Sequence, residues 1–80
     1  MDAFLMWLSE NHAFEKRSCR DVASRLKRAA KLIDIDSELP DEELLFRLNS
    51  LDGFKKLSSP VKSQIKRAVT LYRTYKATLD

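Results

Sequence analysis

Lys62, Lys66, Arg73 and Lys76 follow one another at steps of four, seven and three residues, a spacing that gathers them into one strip of a 3.6-residue helix. Only Val69 interrupts the strip, and Arg67 points elsewhere. A second set, Arg20, Ser24, Lys27 and Lys31 with Arg28 at its edge, gathers in the same way opposite an apolar stripe. A charge run on a helix is often only a solvated face, but solubilising surfaces usually mix signs so that acid and base pair four residues apart. Here the acids are absent and the repulsion is uncompensated. The chemistry such strips suit is the gripping of a polyanion. Serines near the helix starts (Ser18, Ser24, Ser59 and Ser63) add hydroxyl donors for phosphate oxygens. Six phosphate contacts would give log affinity a slope of roughly −5 against log salt.

The charge is segregated along the chain. Between Lys16 and Lys31 seven basic residues face one acid, Asp21; between Asp34 and Asp52 seven acids face Arg47 alone; between Lys55 and Lys76 seven basic residues face none. The net charge of +3 conceals this polarity, which becomes a polarised surface if the two basic segments meet in space. Eighty residues supply one modest core and one domain, spanning 1–80, which excludes a two-domain enzyme. A hydrophobic fraction of 44% with one Gly and two Pro favours an all-α fold over strands and turns. One cysteine, Cys19, allows no internal disulfide, and with a single His no zinc set can be assembled. No metal or other cofactor is expected. The opening MDAFLMWLSENH has an acid at position 2 and a short apolar run, which fits neither a signal peptide nor a membrane span. A reducing, cytoplasmic location is the expectation.

Four helices are expected to position the two strips. The first covers about residues 3–11, with Phe4, Leu5, Trp7 and Leu8 at helical spacing and Asp2 as its cap. The second covers about 18–34. It opens on a capping box of Ser18 and Asp21 and buries Val22, Leu26, Ala29, Ala30 and Ile33, with Cys19 and Ala23 at the margin. The third covers about 41–50 behind Pro40, with Asp41, Glu42 and Glu43 at the positive end of its dipole and Leu44, Leu45, Leu48 and Leu51 on its apolar side. Gly53 is placed to close it in the left-handed conformation, with Phe54 packing back. The fourth covers about 60–78, capped by Ser59 and begun by Pro60, with Val61, Ile65, Ala68, Leu71, Tyr72, Tyr75 and Leu79 inward.

This arrangement resembles the N-terminal core-binding domain of tyrosine recombinases and phage integrases, a SAM-like four-helix module. The likeness rests on Phe4, Trp7 and Leu8 in the opening helix, on the Ser18-led second helix with SRLKR further along, and on SSPVKSQIKRAVTLYRTY in the last. It covers nearly the whole chain. The resemblance implies a clamp on double-stranded DNA whose second and fourth helices face the major groove. It implies contacts from Ser18, Arg20, Ser24, Lys27, Arg28 and Lys31 on one helix and Ser59, Lys62, Ser63, Lys66, Arg73 and Lys76 on the other. Base readout would fall to Arg20, Lys27 or Lys62, while Arg25 and Arg28 have pairing with the acidic third helix as an alternative. The family's catalytic Arg, His and Tyr belong to a second, larger domain for which eighty residues leave no room. The expectation is therefore a non-catalytic module, part of a recombinase or a stand-alone relative, monomeric in isolation and with a catalytic recombinase domain or another protein as a further partner.

The other chemically able residues read as structural. His12 lies in a polar connector beside Glu10 and Glu15 and suits a loop or cap. Tyr72 and Tyr75 lie on the core side, which argues for packing and against a nucleophile. Cys19 is a small packing residue and Trp7 a core residue with its indole N–H at the surface. No glycine-rich phosphate loop, paired-carboxylate site or Ser/His/Asp arrangement is present. A reading from a different class is a protein-interaction module that docks an acidic partner or self-associates through the Asp34 to Asp52 segment. A membrane-surface helix is disfavoured because the apolar faces are needed for the core.

Overall fold

The computed structural model describes residues 2–12 and 14–79, the side chain of Asp2 excepted, so the cap expected from Asp2 lies outside the described residues. The described chain is all-helical, with five helices: α1 (Asp2–His12), α2 (Lys16–Ala30), α3 (Asp41–Ser50), α4 (Asp52–Lys55) and α5 (Ser59–Ala77). One apolar cluster draws from all of them. Phe4 and Leu8 of α1, Leu26 and Ala29 of α2, Leu44 and Leu48 of α3, Phe54 of α4, and Ile65, Ala68 and Val69 of α5 are all at most 2% exposed. Burying a Leu, Ile or Phe side chain is worth about 1.5–3 kcal/mol, so this cluster carries most of the driving force for folding. The most extensive helix contact is between α2 and α5, and α1 packs across both. The third and fourth helices pack together, and α3 also leans on α5. Thus the two basic helices are neighbours, as a polarised surface requires. Among the described residues no helix is long and apolar enough to cross a membrane.

The boundaries of α2 depart from expectation at both ends. It starts at Lys16, with Glu15 as an extended N-cap and no side-chain capping bond, so Ser18 sits inside the first turn and makes no capping box. The physical reason is the Cys19 N–H, which donates to the Glu15 carbonyl at 3.0 Å and places Lys16 and Arg17, good helix formers, in the helix. At the other end the N–H groups of Leu32 and Ile33 share the Ala29 carbonyl at 2.9 and 3.0 Å. The Asp34 carboxylate then accepts the Asp36 N–H at 3.0 Å, an Asx turn that competes with helix and starts the connector. Lys31 therefore caps the helix end instead of standing within it.

Two other junctions also differ. A one-turn helix, α4, stands where a left-handed closure was expected: the Leu51 carbonyl accepts the N–H groups of Phe54 and Lys55 at 3.0 and 2.9 Å. Gly53 is outside the left-handed region, and its lack of a side chain serves close packing, since a Cβ there would lie 3.2 Å from Leu32 Cδ2. In α5 the cap is Ser58, one residue earlier than expected, with Pro60 still in the first turn and no side-chain capping bond. Phe54 packs back into the core as anticipated.

Candidate nucleic-acid interface

The outward face of α2 follows from its apolar stripe. Cys19, Val22, Ala23, Leu26 and Ala29 are buried, which turns Arg20, Ser24, Lys27 and Arg28 to solvent, with Lys31 exposed just past the helix end. Lys16 and Arg17 are exposed as well and fall on the same face by helical periodicity. A helix start at Ser18 places both outside the helix; the run of helix formers Glu15, Lys16 and Arg17 is the sequence signal for the earlier start. Among the described residues none of these cations makes an ion pair, including the pairs with α3 considered for Arg25 and Arg28. Asp21 is the lone acid on this helix. Several like charges held on one face attract a polyanion, and the attraction falls with ionic strength.

The strip on α5 has a different environment. Val69, at its centre, is 1% exposed, and Lys62, Lys66 and Arg73 are half-buried, so the strip is the edge where α5 meets α3 and the connector of residues 31–40. Arg73 is committed there. Its Nε donates to Asp41 Oδ1 at 2.5 Å, one terminal nitrogen donates to the carbonyls of Ile35 and Ser37 at 2.9 Å each, and the other to that of Leu39. Lys76 Nζ lies 3.5 Å from Asp36 Oδ1, which also accepts the Tyr72 hydroxyl at 2.6 Å. Burial, then the hydrogen bond to Asp36 and the charges of Asp36 and Tyr75, push the Tyr72 phenol up to about 12. Of the expected contacts on this helix, Arg73 is occupied by the protein itself and Lys76 is held beside a carboxylate. Ser59 and Ser63 are exposed near its start, with Lys62 and Lys66 beside them.

The reactive residues take structural places. Cys19 is 4% exposed, and its thiol faces the carbonyls of Leu5 and Phe14 at 3.8 Å each. Tyr75 joins Phe4 and Trp7 in an aromatic cluster with centroid separations of 5.4 and 5.7 Å, and the His12 ring stands edge-on to Trp7 at 4.9 Å. Among the described residues no polar or charged side chain is buried, and no three His, Cys, Asp or Glu side chains converge. On the flank of α5 opposite the Arg73 side, the Arg67 guanidinium sits 5.3 Å from the centroid of Phe14, over a cleft between α2 and α5. No family model matches the chain, and neither a curated protein nor a solved structure shows significant similarity to it.

Proposed function

We propose that this protein is a non-catalytic domain that grips duplex DNA, chiefly through the outward face of α2. The observation that carries this reading is the contrast between the two strips. Arg73 and Lys76 have carboxylate partners, whereas Lys16, Arg17, Arg20, Lys27 and Arg28 have none among the described residues. Holding like charges side by side costs free energy, which a phosphate backbone would recover by releasing its condensed counterions. Ser24 supplies a neutral donor on that face, and Ser59, Lys62, Ser63 and Lys66 near the start of α5 are the candidate contacts of the second helix. The resemblance to the SAM-like core-binding module of tyrosine recombinases points the same way. The reading is of a module that positions DNA for chemistry done elsewhere, with a recombinase catalytic domain as the partner the resemblance favours. The test is anisotropy of a short labelled duplex across a salt series: binding should fall steeply between about 50 and 200 mM salt. Absence of binding at the lowest salt would remove the proposal.

A second reading, a protein-interaction module, is favoured by one feature. Phe46 is 70% exposed on α3, one turn beyond Glu42 and Glu43. A large ring rimmed by carboxylates suits a partner with an apolar pocket and a basic edge. Sedimentation of wild type and Phe46→Ser over a range of concentrations separates self-association on this face from a monomer.

A further inference from the structure

Arg73 shows how this molecule treats a structural arginine: every side-chain nitrogen has an oxygen partner within the chain. On the other flank of α5 two arginines are treated differently. Arg25, half-buried on α2, and Arg67, exposed on α5, line one cleft of about 230 Å³ together with Phe14, Ser18, Asp21 and Gln64. Among the described residues neither guanidinium makes a hydrogen bond or ion pair with the protein. We infer that this cleft is a seat for one backbone phosphate of the duplex, held between Arg25 and Arg67; the inference rests on the DNA-binding reading above and assigns a contact outside the two strips.

Three features of the cleft support this. A guanidinium presents five N–H donors in a planar fork matched to phosphate, so two of them converging on one cleft offer paired contacts that lysines cannot. The Arg67 head is held over Phe14 at 5.3 Å, which restrains it before any ligand arrives and lowers the ordering cost of binding. Ser18 and Gln64 lie on the two opposing helices and supply neutral donors to the remaining oxygens. The cleft holds the space of nearly eight waters at ~30 Å³ each, room for a phosphodiester group. Asp21 opposes an anion, leaving a net charge of +1 from the cleft's three ionised groups. It also lies, by helical position, next to Arg17 and Arg28, so the cleft adjoins the outward face of α2. A strand crossing that face meets the cleft next.

The experiment is duplex binding by anisotropy across a salt series, using the full chain. The Arg25→Ala/Arg67→Ala double variant should bind at least ~5-fold more weakly at low salt, and its log–log slope should shrink by about 0.9, the loss of one phosphate contact. Lys55→Ala, which removes an exposed charge on α4, should leave the slope unchanged. Asp21→Asn should tighten binding, and Phe14→Leu, which alters no charge, should weaken it. Helical circular dichroism reports whether each variant is folded, and the exposed Arg67→Gln single variant repeats the test if the double variant is not. Wild-type binding with an unaltered slope in folded Arg25 and Arg67 variants overturns the phosphate seat while the DNA-binding reading stands. Absence of wild-type binding at low salt overturns both.

Discussion

Arg73 Nε on α5 meets Asp41 Oδ1, at the first position of α3, at 2.5 Å, and the same guanidinium collects the carbonyls of Ile35, Ser37 and Leu39. Residues 35–41 are thus wrapped around one cation. A connector without regular structure has few backbone partners of its own, and each unpaired carbonyl away from water is costly. The planar fork of arginine satisfies several at once from a single side chain. The acidic segment and part of the α5 strip neutralise each other at this joint. The negative stretch is therefore, in part, an internal counterion, which leaves α2 as the face with unspent charge.

Replacing Arg73 should damage the fold far more than its surface charge would imply. The side chain is 14% exposed, and its removal strands a set of carbonyls and the Asp41 carboxylate. We expect Arg73→Ala to cost about 2–4 kcal/mol, in the range for breaking a desolvated, hydrogen-bonded charge. Lysine should recover little, because one ammonium cannot span acceptors on both sides of the fork. Asp41→Asn should cost under about 1 kcal/mol, since that carboxylate is 55% exposed. Urea midpoints read all three, and wild-type stability in Arg73→Lys would show that the fork is dispensable.

The Tyr72–Asp36 bond should appear in the alkaline stability profile. The Tyr72 phenol is pushed up to about 12 in the folded protein, first by burial and then by Asp36. In the unfolded chain it titrates near its ordinary value of about 10. The folded state therefore holds the proton more tightly. Its contribution is fully present below pH about 10 and declines as pH rises toward about 12. Tyr72→Phe removes both the bond and this titration. The variant should be less stable at neutral pH, and its gap from wild type should narrow across that window. A gap that stays constant from neutral pH to the alkaline limit would mean that Tyr72 is not held in this way.

What was legible in the sequence was local. Residues 41–50 form α3 as the spacing of Leu44 and Leu48 and the acids behind Pro40 implied, and Val22, Leu26, Ala29, Ile65 and Ala68 are buried as their periodicity required. What was not legible was the return of the chain. Charge periodicity on α5 cannot distinguish a free strip from one covered by a segment more than thirty residues upstream, and the Arg73 partners lie 32 to 38 positions away. Val69 carried the available hint: an apolar residue in the middle of a basic strip marks a packing edge. Arg67 lies off the strip, and its place over Phe14 depends on the α1–α2 connector meeting α5, which no window of α5 contains.

If α2 carries the DNA contact, charge reversal should matter unequally on the two helices. Lys27 is exposed with no carboxylate partner among the described residues, whereas Lys76 already lies 3.5 Å from Asp36. Lys27→Glu combined with Arg20→Glu should abolish duplex binding at moderate salt, each reversal removing a phosphate contact and adding a repulsion. Helical content should be preserved, since both side chains are exposed. Lys76→Glu should weaken binding only through the general field. Equal losses from the two helices in a binding titration would restore the symmetric clamp and displace α2 from its leading role.

Gly53→Ala tests whether the glycine is needed for its conformation or for its size. Its backbone lies outside the left-handed region, so alanine meets no backbone strain, and restricting the unfolded chain stabilises by about 0.4–1 kcal/mol. Against this stands one contact, the new Cβ at 3.2 Å from Leu32 Cδ2. That atom ends a flexible, half-buried side chain that can withdraw by a few tenths of an ångström at small cost. The balance should be slightly stabilising, within about 0.5 kcal/mol of wild type. Valine adds two γ carbons against the same methyl group and should destabilise by about 1–2 kcal/mol. Thermal unfolding of the two variants separates the cases: a loss above about 1 kcal/mol in Gly53→Ala would show that Leu32 is locked and that α4 depends on glycine to reach the end of α2.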